Sequence, residues 1–279
     1  YNDSAESDVF ILSDTEDLVP ELKQNGDAWE QVVFSRKLFG VEYTVKRYRP
    51  RKEGLFARIE KWDSNGNTHW RVITKDNITS IYGLTNDSRI SDPYCPDHVF
   101  SWCICRTFDD KGNIITYQYK AENDDGVDIT ALHERNRTSA NRCANRYLKR
   151  ICYGNADPWF AQYEEGLDEE PSLPSLWHFE MVFDFGEHDE AEPKPDDNGR
   201  WETRPDPFSQ HNSGFEIRTY RRCKRILMFH NFPDETDIGE GYLVRSLDLQ
   251  YIDMTENVGE DASGVPCFSC ISSITQRGY

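Results

Sequence analysis

No apolar run in the sequence approaches the roughly 20 residues a helix needs to cross a bilayer, and no charged-then-apolar leader precedes the polar opening. Positive charge is also short. The 32 Lys and Arg residues face 50 Asp and Glu, a net charge of −18. That balance argues against sequence-independent binding to nucleic acid or to anionic membranes, since both need a cationic surface. Cysteine is sparse: eight residues, at 95, 103, 105, 143, 152, 223, 267 and 270, show no disulfide-framework spacing and read as free thiols that behave as small hydrophobes. Cys267 and Cys270 have the spacing of a redox or zinc half-site, but zinc needs a second ligand pair at matching spacing and none follows. A Gly-rich phosphate loop, a Gly-x-Ser-x-Gly elbow and a His-Glu-x-x-His zinc helix are all missing. Their absence removes the commonest signatures of nucleotide, acyl-transfer and zinc-protease chemistry.

What is present is aromatic and β-patterned. Aromatic residues make up 13% of the chain, so folding rests on burial despite the charge. Its length is enough for a large core, and residues 1–279 are expected to form one domain. The chain starts at Tyr1 without Met and reads as an excised piece of a longer protein. Its organising stretch is 99–120. Phe100, Trp102, Ile104 and Phe108 alternate with Cys103, Cys105 and Thr107, and a turn follows at Asp109-Asp110-Lys111-Gly112-Asn113. Ile115, Tyr117 and Tyr119 then recur every second residue, which is a β-hairpin pattern. The stretch Trp62-Asp63-Ser64-Asn65-Gly66-Asn67 shares the pattern aromatic-Asp-x-x-Gly-Asn, predicting one kind of turn used twice. Runs at 9–12, 29–36, 55–62, 69–73, 78–83, 147–153, 177–185, 215–232, 243–252 and 268–274 bring the tally to about a dozen strands.

Elsewhere the pattern changes. Residues 1–8 read as a polar tail and 257–264 as a polar loop. One helical stripe is expected from Asp128, its N-cap, through Ile129, Leu132, His133, Ala140, Cys143, Ala144 and Tyr147, with an interruption at Asn136. Arg135, Arg137, Arg142, Arg146, Lys149 and Arg150 make this the most basic neighbourhood, expected to pair with the chain's own carboxylates. Two acidic, proline-spaced stretches, 157–174 and 187–207, read as exposed loop excursions.

Few residues suggest chemistry. His178, His188, His211 and His230 are expected in structural hydrogen bonds. Glu164-Glu165 and Glu169-Glu170 read as solvated pairs, because a glycosidase needs carboxylates held across a cleft. Glu190-Ala191-Glu192 resembles the Glu-x-Glu of toxins that transfer ADP-ribose to arginine, but the required upstream Arg and Ser-Thr-Ser strand have no counterpart, and Ser272-Ser273-Ile274-Thr275 lies downstream. Trp62, Trp70, Trp102, Trp159, Trp177 and Trp201 read first as core and second as a carbohydrate- or receptor-binding platform. No residue is put forward as catalytic, cofactor-binding or metal-ligating, no cofactor is expected, and the chain is not expected to be an enzyme.

Longer strings carry a family resemblance. They include residues 9–20, Tyr48-Arg-Pro-Arg51, Gly54-Leu-Phe-Ala-Arg-Ile-Glu60, His69-Trp70, Ile90-Ser-Asp-Pro93, Val99-Phe-Ser-Trp102 and His133-Glu-Arg-Asn-Arg137. Residues 145–155, Phe183-Asp-Phe-Gly-Glu-His-Asp189, Arg204-Pro-Asp-Pro-Phe-Ser209, Phe215-Glu-Ile-Arg-Thr-Tyr220 and Met228-Phe-His230 continue them. These resemble the SpvB/TcaC family, which joins the amino-terminal region of a Salmonella plasmid virulence protein to the B component of insecticidal Tc toxin complexes. The two aromatic-Asp-x-x-Gly-Asn turns are also similar to Rhs/YD repeats. The resemblance implies a secreted toxin module, cytoplasmic before release, whose antiparallel hairpins form a curved, shell-like sheet around a toxic cargo segment. It implies flanking segments of the same toxin chain and a C-type Rhs toxin subunit as partners, and a pore-forming A component engaged through other domains. Neither nucleic acid nor a membrane span belongs to that picture. Paired ribbons with side chains on both faces can build such a wall.

Overall fold

The computed structural model describes residues 9–13, 17–161, 169–197, 199–253 and 269–279. The tail 1–8, the loop 257–264, Glu164-Glu165 and Cys267 lie outside the described residues. In chain order the strands are β1 (Phe10–Ile11), β2 (Asp17–Pro20), β3 (Leu22–Asn25), β4 (Ala28–Gln31), β5 (Val33–Leu38), β6 (Val41–Pro50), β7 (Arg58–Ser64), β8 (Asn67–Ile73), β9 (Thr79–Tyr82), β10 (Arg89–Asp92), β11 (Cys95–Trp102), β12 (Ile104–Phe108) and β13 (Ile114–Ala121). A helix, α1 (Ser139–Arg142), precedes β14 (Arg146–Asn155), β15 (Trp177–Asp184), β16 (Phe208–Gln210), β17 (Ile217–Thr219), β18 (Arg225–Phe232), β19 (Gly239–Asp253) and β20 (Ser269–Gly278). The fold is mainly β and antiparallel. Two compact units are delimited, Tyr1–Tyr117 with Gly154–Leu176, and Gln118–Tyr153 with Trp177–Tyr279.

In the first unit the sheet runs β1-β2-β6-β7-β8-β9-β12, with β5 on β6 and β13 on β12. Two-stranded ribbons β3–β4 and β10–β11 stand apart from that path. The hairpin β7–β8 explains the arrangement locally. Asn65 and Gly66 both take positive φ, 52° and 86°, and Ser64 pairs directly with Asn67, so the loop is a two-residue turn that keeps the strands' natural twist. The two faces of this hairpin are then buried by different chemistry. Ile59, Trp70 and Val72 join Leu18 and Tyr48 in an apolar core, against which Phe10 and Trp102 pack. On the other face Glu60 stands opposite Arg71, and Trp62 opposite His69. The Trp62 indole donates to Glu60 at 3.0 Å, the Arg71 guanidinium lies 3.9 Å from the Trp62 ring centre, and Arg71 Nε donates to His69 Nε2 at 3.2 Å. Burial, then the nearby Arg71 and Arg89 charges, hold His69 well below the usual imidazole range, so its ring stays neutral and accepts.

The second turn differs from the first despite the shared pattern. Phe108 pairs with Ile114, leaving a five-residue loop. Its shape is set by the Asp109 carboxylate, which accepts from the backbone N–H of Lys111 and of Asn113, both at 2.9 Å, and from Asn113 Nδ2 at 2.8 Å. One kind of turn used twice is therefore incorrect: a side-chain clamp makes the second, and paired left-handed residues make the first. The stretch 99–120 is also broken at Cys103, whose backbone bonds Ser88 and Gly83 instead of a strand partner. Beyond the turn Ile114 and Thr116 are buried, while Ile115 and Tyr117 are only half-buried.

In the second unit β15, β18, β19 and β20 form consecutive antiparallel pairs, with β14 beside β15 and β16–β17 as a separate ribbon. Val182, Leu227 and Phe229 form one core, and Tyr147, Phe185 and Trp201 another. The expected helix from Asp128 is mostly replaced by a 3-10 turn at Leu132–Glu134 and the four-residue α1. Asp128 folds into a local turn, accepting from Thr130 N–H at 3.0 Å, and Thr138 caps α1 by accepting from Asn141 N–H at 3.2 Å. The apolar stripe fails because Ile129 and Leu132 stay exposed, and the buried residue of this turn is Glu134. The long strand expected over 215–232 is likewise two strands, with Tyr220 and Arg221 turned into the interior between them.

Candidate functional site

The second unit holds a buried polar network that draws in residues from several of the family strings, among them Glu134, Lys149, Glu187 and Arg218. Its centre is the pair Arg221–Glu122, both side chains fully inaccessible to solvent. Arg221 Nε lies 3.0 Å from each Glu122 oxygen, and Arg221 Nη1 donates to Asp125 O at 2.8 Å. Glu122 also accepts from the N–H groups of Asn123 and Asp124 at 3.0 and 3.1 Å. The Trp201 ring is flanked by Arg221 at 4.4 Å and the Lys120 ammonium at 4.5 Å, and its N–H donates to Asn123 Oδ1 at 2.7 Å. The pair is thus satisfied from every side, which is the condition under which buried charge is tolerated.

A second node is Glu134, from the His133-Glu-Arg-Asn-Arg137 string. It accepts from Arg218 Nη2 at 2.8 Å and from the Tyr220 hydroxyl at 2.6 Å. Arg137 pairs with Glu216 at 2.8 Å, and Ser209 donates to the same Glu216 oxygen at 2.5 Å. Burial, then the hydrogen bond and charge of Glu134, push the Tyr220 hydroxyl above the usual phenol range, so it remains a donor at all ordinary pH. Four of the six basic residues in this neighbourhood, Arg137, Arg142, Lys149 and Arg150, pair with the chain's own carboxylates, while Arg135 is exposed. Arg142 bonds Asp124 at 2.8 Å, and Arg150 bonds Glu180 and Asp196 at 3.1 and 2.6 Å. Arg146 donates to the carbonyls of Cys143, Ala144 and Asn145.

The third node has the make-up of a metal site. Glu187, His188 and Asp197 bring ligand atoms within 4.8 Å of one another. The Lys149 ammonium occupies that position: it bonds Glu187, lies 2.7 Å from His188 Nε2 and 3.6 Å from Asp197. Lys120 adds a second ammonium 3.3 Å from Asp197. His188 Nδ1 lies 2.9 Å from the Lys194 carbonyl, so it carries the proton and leaves Nε2 to accept from Lys149. Burial, then the Lys149 charge, hold this imidazole below its usual range, in keeping with a neutral ring. Only the adjacent Glu-His in Phe183-Asp-Phe-Gly-Glu-His-Asp189 hinted at this node in the sequence.

A cleft of about 480 Å³ opens beside it, lined by Asp184, Glu202, Arg222, Lys224, Arg225, Asp248, Tyr251 and Arg277 among others. Its charges are matched in pairs: Arg225 with Asp184 and Lys224 with Glu202, both at 2.6 Å, and Arg277 with Asp248 at 2.8 Å. Arg222 donates to Ser269 at 2.6 Å and stacks over Tyr251 at 4.4 Å. Glu190 sits at the rim, and Glu190, Ala191 and Glu192 form an exposed bend whose N–H groups at 191 and 192 bond the Asp189 carboxylate.

The acidic stretches are less exposed than expected. Glu187, His188 and Trp201 are buried, because the node around Lys149 and the Trp201 stack draw them in. In the first unit Trp159 is buried against Phe108, with ring centres 5.3 Å apart, and Arg106 pairs with Glu170 while lying 5.3 Å from the Trp159 ring. Of the six tryptophans offered as a platform, Trp62, Trp70, Trp159 and Trp201 are core residues. Among the described thiols Cys152 is buried, Cys270 is exposed and the others are half-buried; burial pushes Cys223 up to about 12, and its Sγ donates to Arg225 O at 3.4 Å. Taken together, the charged residues fasten irregular segments to strands.

Comparison with known proteins gives this arrangement a context. A family model described as Salmonella virulence plasmid 65kDa B protein matches residues 1–232. The mono(ADP-ribosyl)transferase SpvB of Salmonella typhimurium is 39% identical over 260 residues, covering 90% of this chain but 42% of that protein. The chain therefore spans less than half the length of this relative. The N-terminal domain of effector protein SpvB from Salmonella typhimurium superposes with a TM-score of 0.82 at 34% identity, over 98% of this chain and 82% of that one. The Photorhabdus luminescens Tc holotoxin pore matches with a TM-score of 0.76 at 28% identity, over 97% of this chain and 12% of that one. The TcdB2-TccC3 crystal structure matches with a TM-score of 0.73 at 29% identity, over 88% of this chain and 12% of that one.

Proposed function

The chain belongs to the SpvB family, and from that premise we propose that it is a non-catalytic structural module of a secreted toxin. In this reading it contributes wall to a β shell that encloses and delivers a cargo segment. The carrying observation is that one fold, over nearly the whole chain, recurs both in the N-terminal domain of SpvB and in the Tc assemblies. The interior supports the same reading. Charge pairs that are buried and mutually satisfied fix segments in place, whereas catalysis needs titratable groups held ready for a substrate. A C-type Rhs subunit and flanking toxin segments are the partners this role requires.

Co-expression with an Rhs-type partner segment tests it. A closed particle whose cargo resists protease is expected, and a cargo cleaved as fast as the free segment overturns the reading. The transferase activity of the Salmonella relative is that protein's own. Incubating this chain with labelled nicotinamide dinucleotide and actin is expected to leave the actin unlabelled, and label transfer would show that catalysis belongs here as well.

A further inference from the structure

Residues 46–58 reverse the charge of the chain. Lys46, Arg47, Arg49, Arg51, Lys52 and Arg58 stand against one carboxylate in this stretch, Glu53, in a protein whose net charge is −18. Some of these cations have neighbours elsewhere: Arg47 lies 3.4 Å from Glu21, Arg51 3.1 Å from Asp17 and Arg58 3.1 Å from the buried Glu60. Pairs as exposed as Arg51–Asp17 contribute little and exchange easily with other anions. Arg49, Arg51, Lys52 and Arg58 are all exposed, and they surround the loop between β6 and β7.

The tip of that loop is apolar. Leu55 is 36% exposed and Phe56 is 69% exposed, side by side. Phe56 also holds a backbone φ of 50°, a region that costs a bulky side chain free energy. Glu53 fixes this conformation by accepting from the Phe56 N–H at 2.8 Å. The strain has no return inside the fold, since the ring it positions faces solvent.

We propose that this loop docks the protein onto an anionic phospholipid surface. Phe56 and Leu55 enter the interfacial layer, and Arg49, Arg51, Lys52 and Arg58 meet headgroup phosphates. The composition of the tip favours lipid over nucleic acid: a single strand offers phosphates and a stacking partner for Phe56, but nothing for Leu55. The acidity of the remaining chain does not forbid contact, because at physiological salt charges beyond about 8 Å are largely screened. This inference goes beyond the shell reading and does not depend on it.

Flotation of the 279-residue chain tests it, using vesicles of phosphatidylcholine alone or with about a third phosphatidylserine at about 0.1 M salt. Binding is expected only to the vesicles with phosphatidylserine. Replacing Leu55 and Phe56 together by Ser should weaken it by about tenfold or more. Removing Arg51 and Lys52 together, as Arg51→Ala with Lys52→Ala, should weaken it by about fivefold per charge. All four side chains are exposed, so circular dichroism and the urea midpoint should match the parent chain. Absence of flotation, or flotation that neither pair of substitutions weakens, overturns the proposal. So does binding to single-stranded DNA through this loop without vesicle binding.

Discussion

At the scale of single residues the second unit buries charges out of reach of solvent. Removing one member of Arg221–Glu122 leaves the other buried and uncompensated, so Arg221→Ala should destabilise the chain by about 3–5 kcal/mol in urea unfolding. A double variant, Glu122→Leu with Arg221→Met, should recover part of that loss, because no lone charge stays buried, while the Asn123 and Asp124 N–H groups lose their acceptor. Equal losses in the single and double variants would refute the assignment. The node at Lys149 gives a sharper prediction. There an ammonium stands where the donor set of Glu187, His188 and Asp197 would hold a divalent cation, and the Lys194 carbonyl already orients the His188 ring. Lys149→Ala combined with Lys120→Met should therefore create a zinc site. Zinc at about 100 times its dissociation constant would stabilise the variant by about 2.7 kcal/mol and leave the parent unmoved, read as a thermal shift.

At the scale of elements the decisive features are the contacts that hold turns and ribbons. Gly112 has φ 91°, and a Cβ there would lie 2.8 Å from Pro158 Cβ, while Gly26 has φ 60° with nothing within 4 Å. Gly112→Ala should thus cost about 1–3 kcal/mol more than Gly26→Ala, since it adds overpacking to the shared backbone strain. Comparable urea midpoints would show that the loop gives way freely. Asp206 ties its segment to β20 by accepting from Arg204 Nε at 2.8 Å and from the N–H and hydroxyl of Ser269 at 2.6 and 2.7 Å. Burial alone would raise this carboxyl, but those hydrogen bonds outweigh it and hold it far below the usual range. A depressed carboxyl stabilises the fold above its unfolded value near pH 4, and that contribution is lost as pH falls further. Asp206→Asn should therefore flatten the acid limb of a stability–pH curve. The hairpin joining Trp62 to His69 was legible in the sequence because its Asn65-Gly66 turn is encoded locally. The helical stripe was misleading for a long-range reason. Glu134 is buried by Arg218 and Tyr220, more than eighty residues away, and no local pattern encodes that partnership. The same holds for Glu187 and Trp201, whose acidic surroundings suggested solvent.

At the scale of the molecule, neither unit is one continuous piece of chain. The first takes Tyr1–Tyr117 and returns for Gly154–Leu176. The returning segment has a specific task. Asn155 Nδ2 donates to Gly112 O at 2.8 Å, its Oδ1 accepts from Ile114 N–H at 3.1 Å, and the Trp159 backbone N–H donates to Gly112 O at 3.0 Å. Trp159 then covers Phe108 and is covered by Arg106. A chain ending at 117 would therefore expose Phe108 and lose every one of these partners, and it should lack a cooperative urea transition. Joining residue 117 to 154 through a short Gly/Ser linker restores the segment without residues 118–153. The contacts from Asn155 to Gly112 and Ile114 keep the new ends near each other, so the closure entropy is modest and grows slowly with linker length. The joined protein should regain near-ultraviolet dichroism and a single transition, and Trp159→Ala in it should lose about 3–5 kcal/mol. If the joined chain unfolds no more cooperatively than residues 1–117 alone, the returning segment does not complete the first unit.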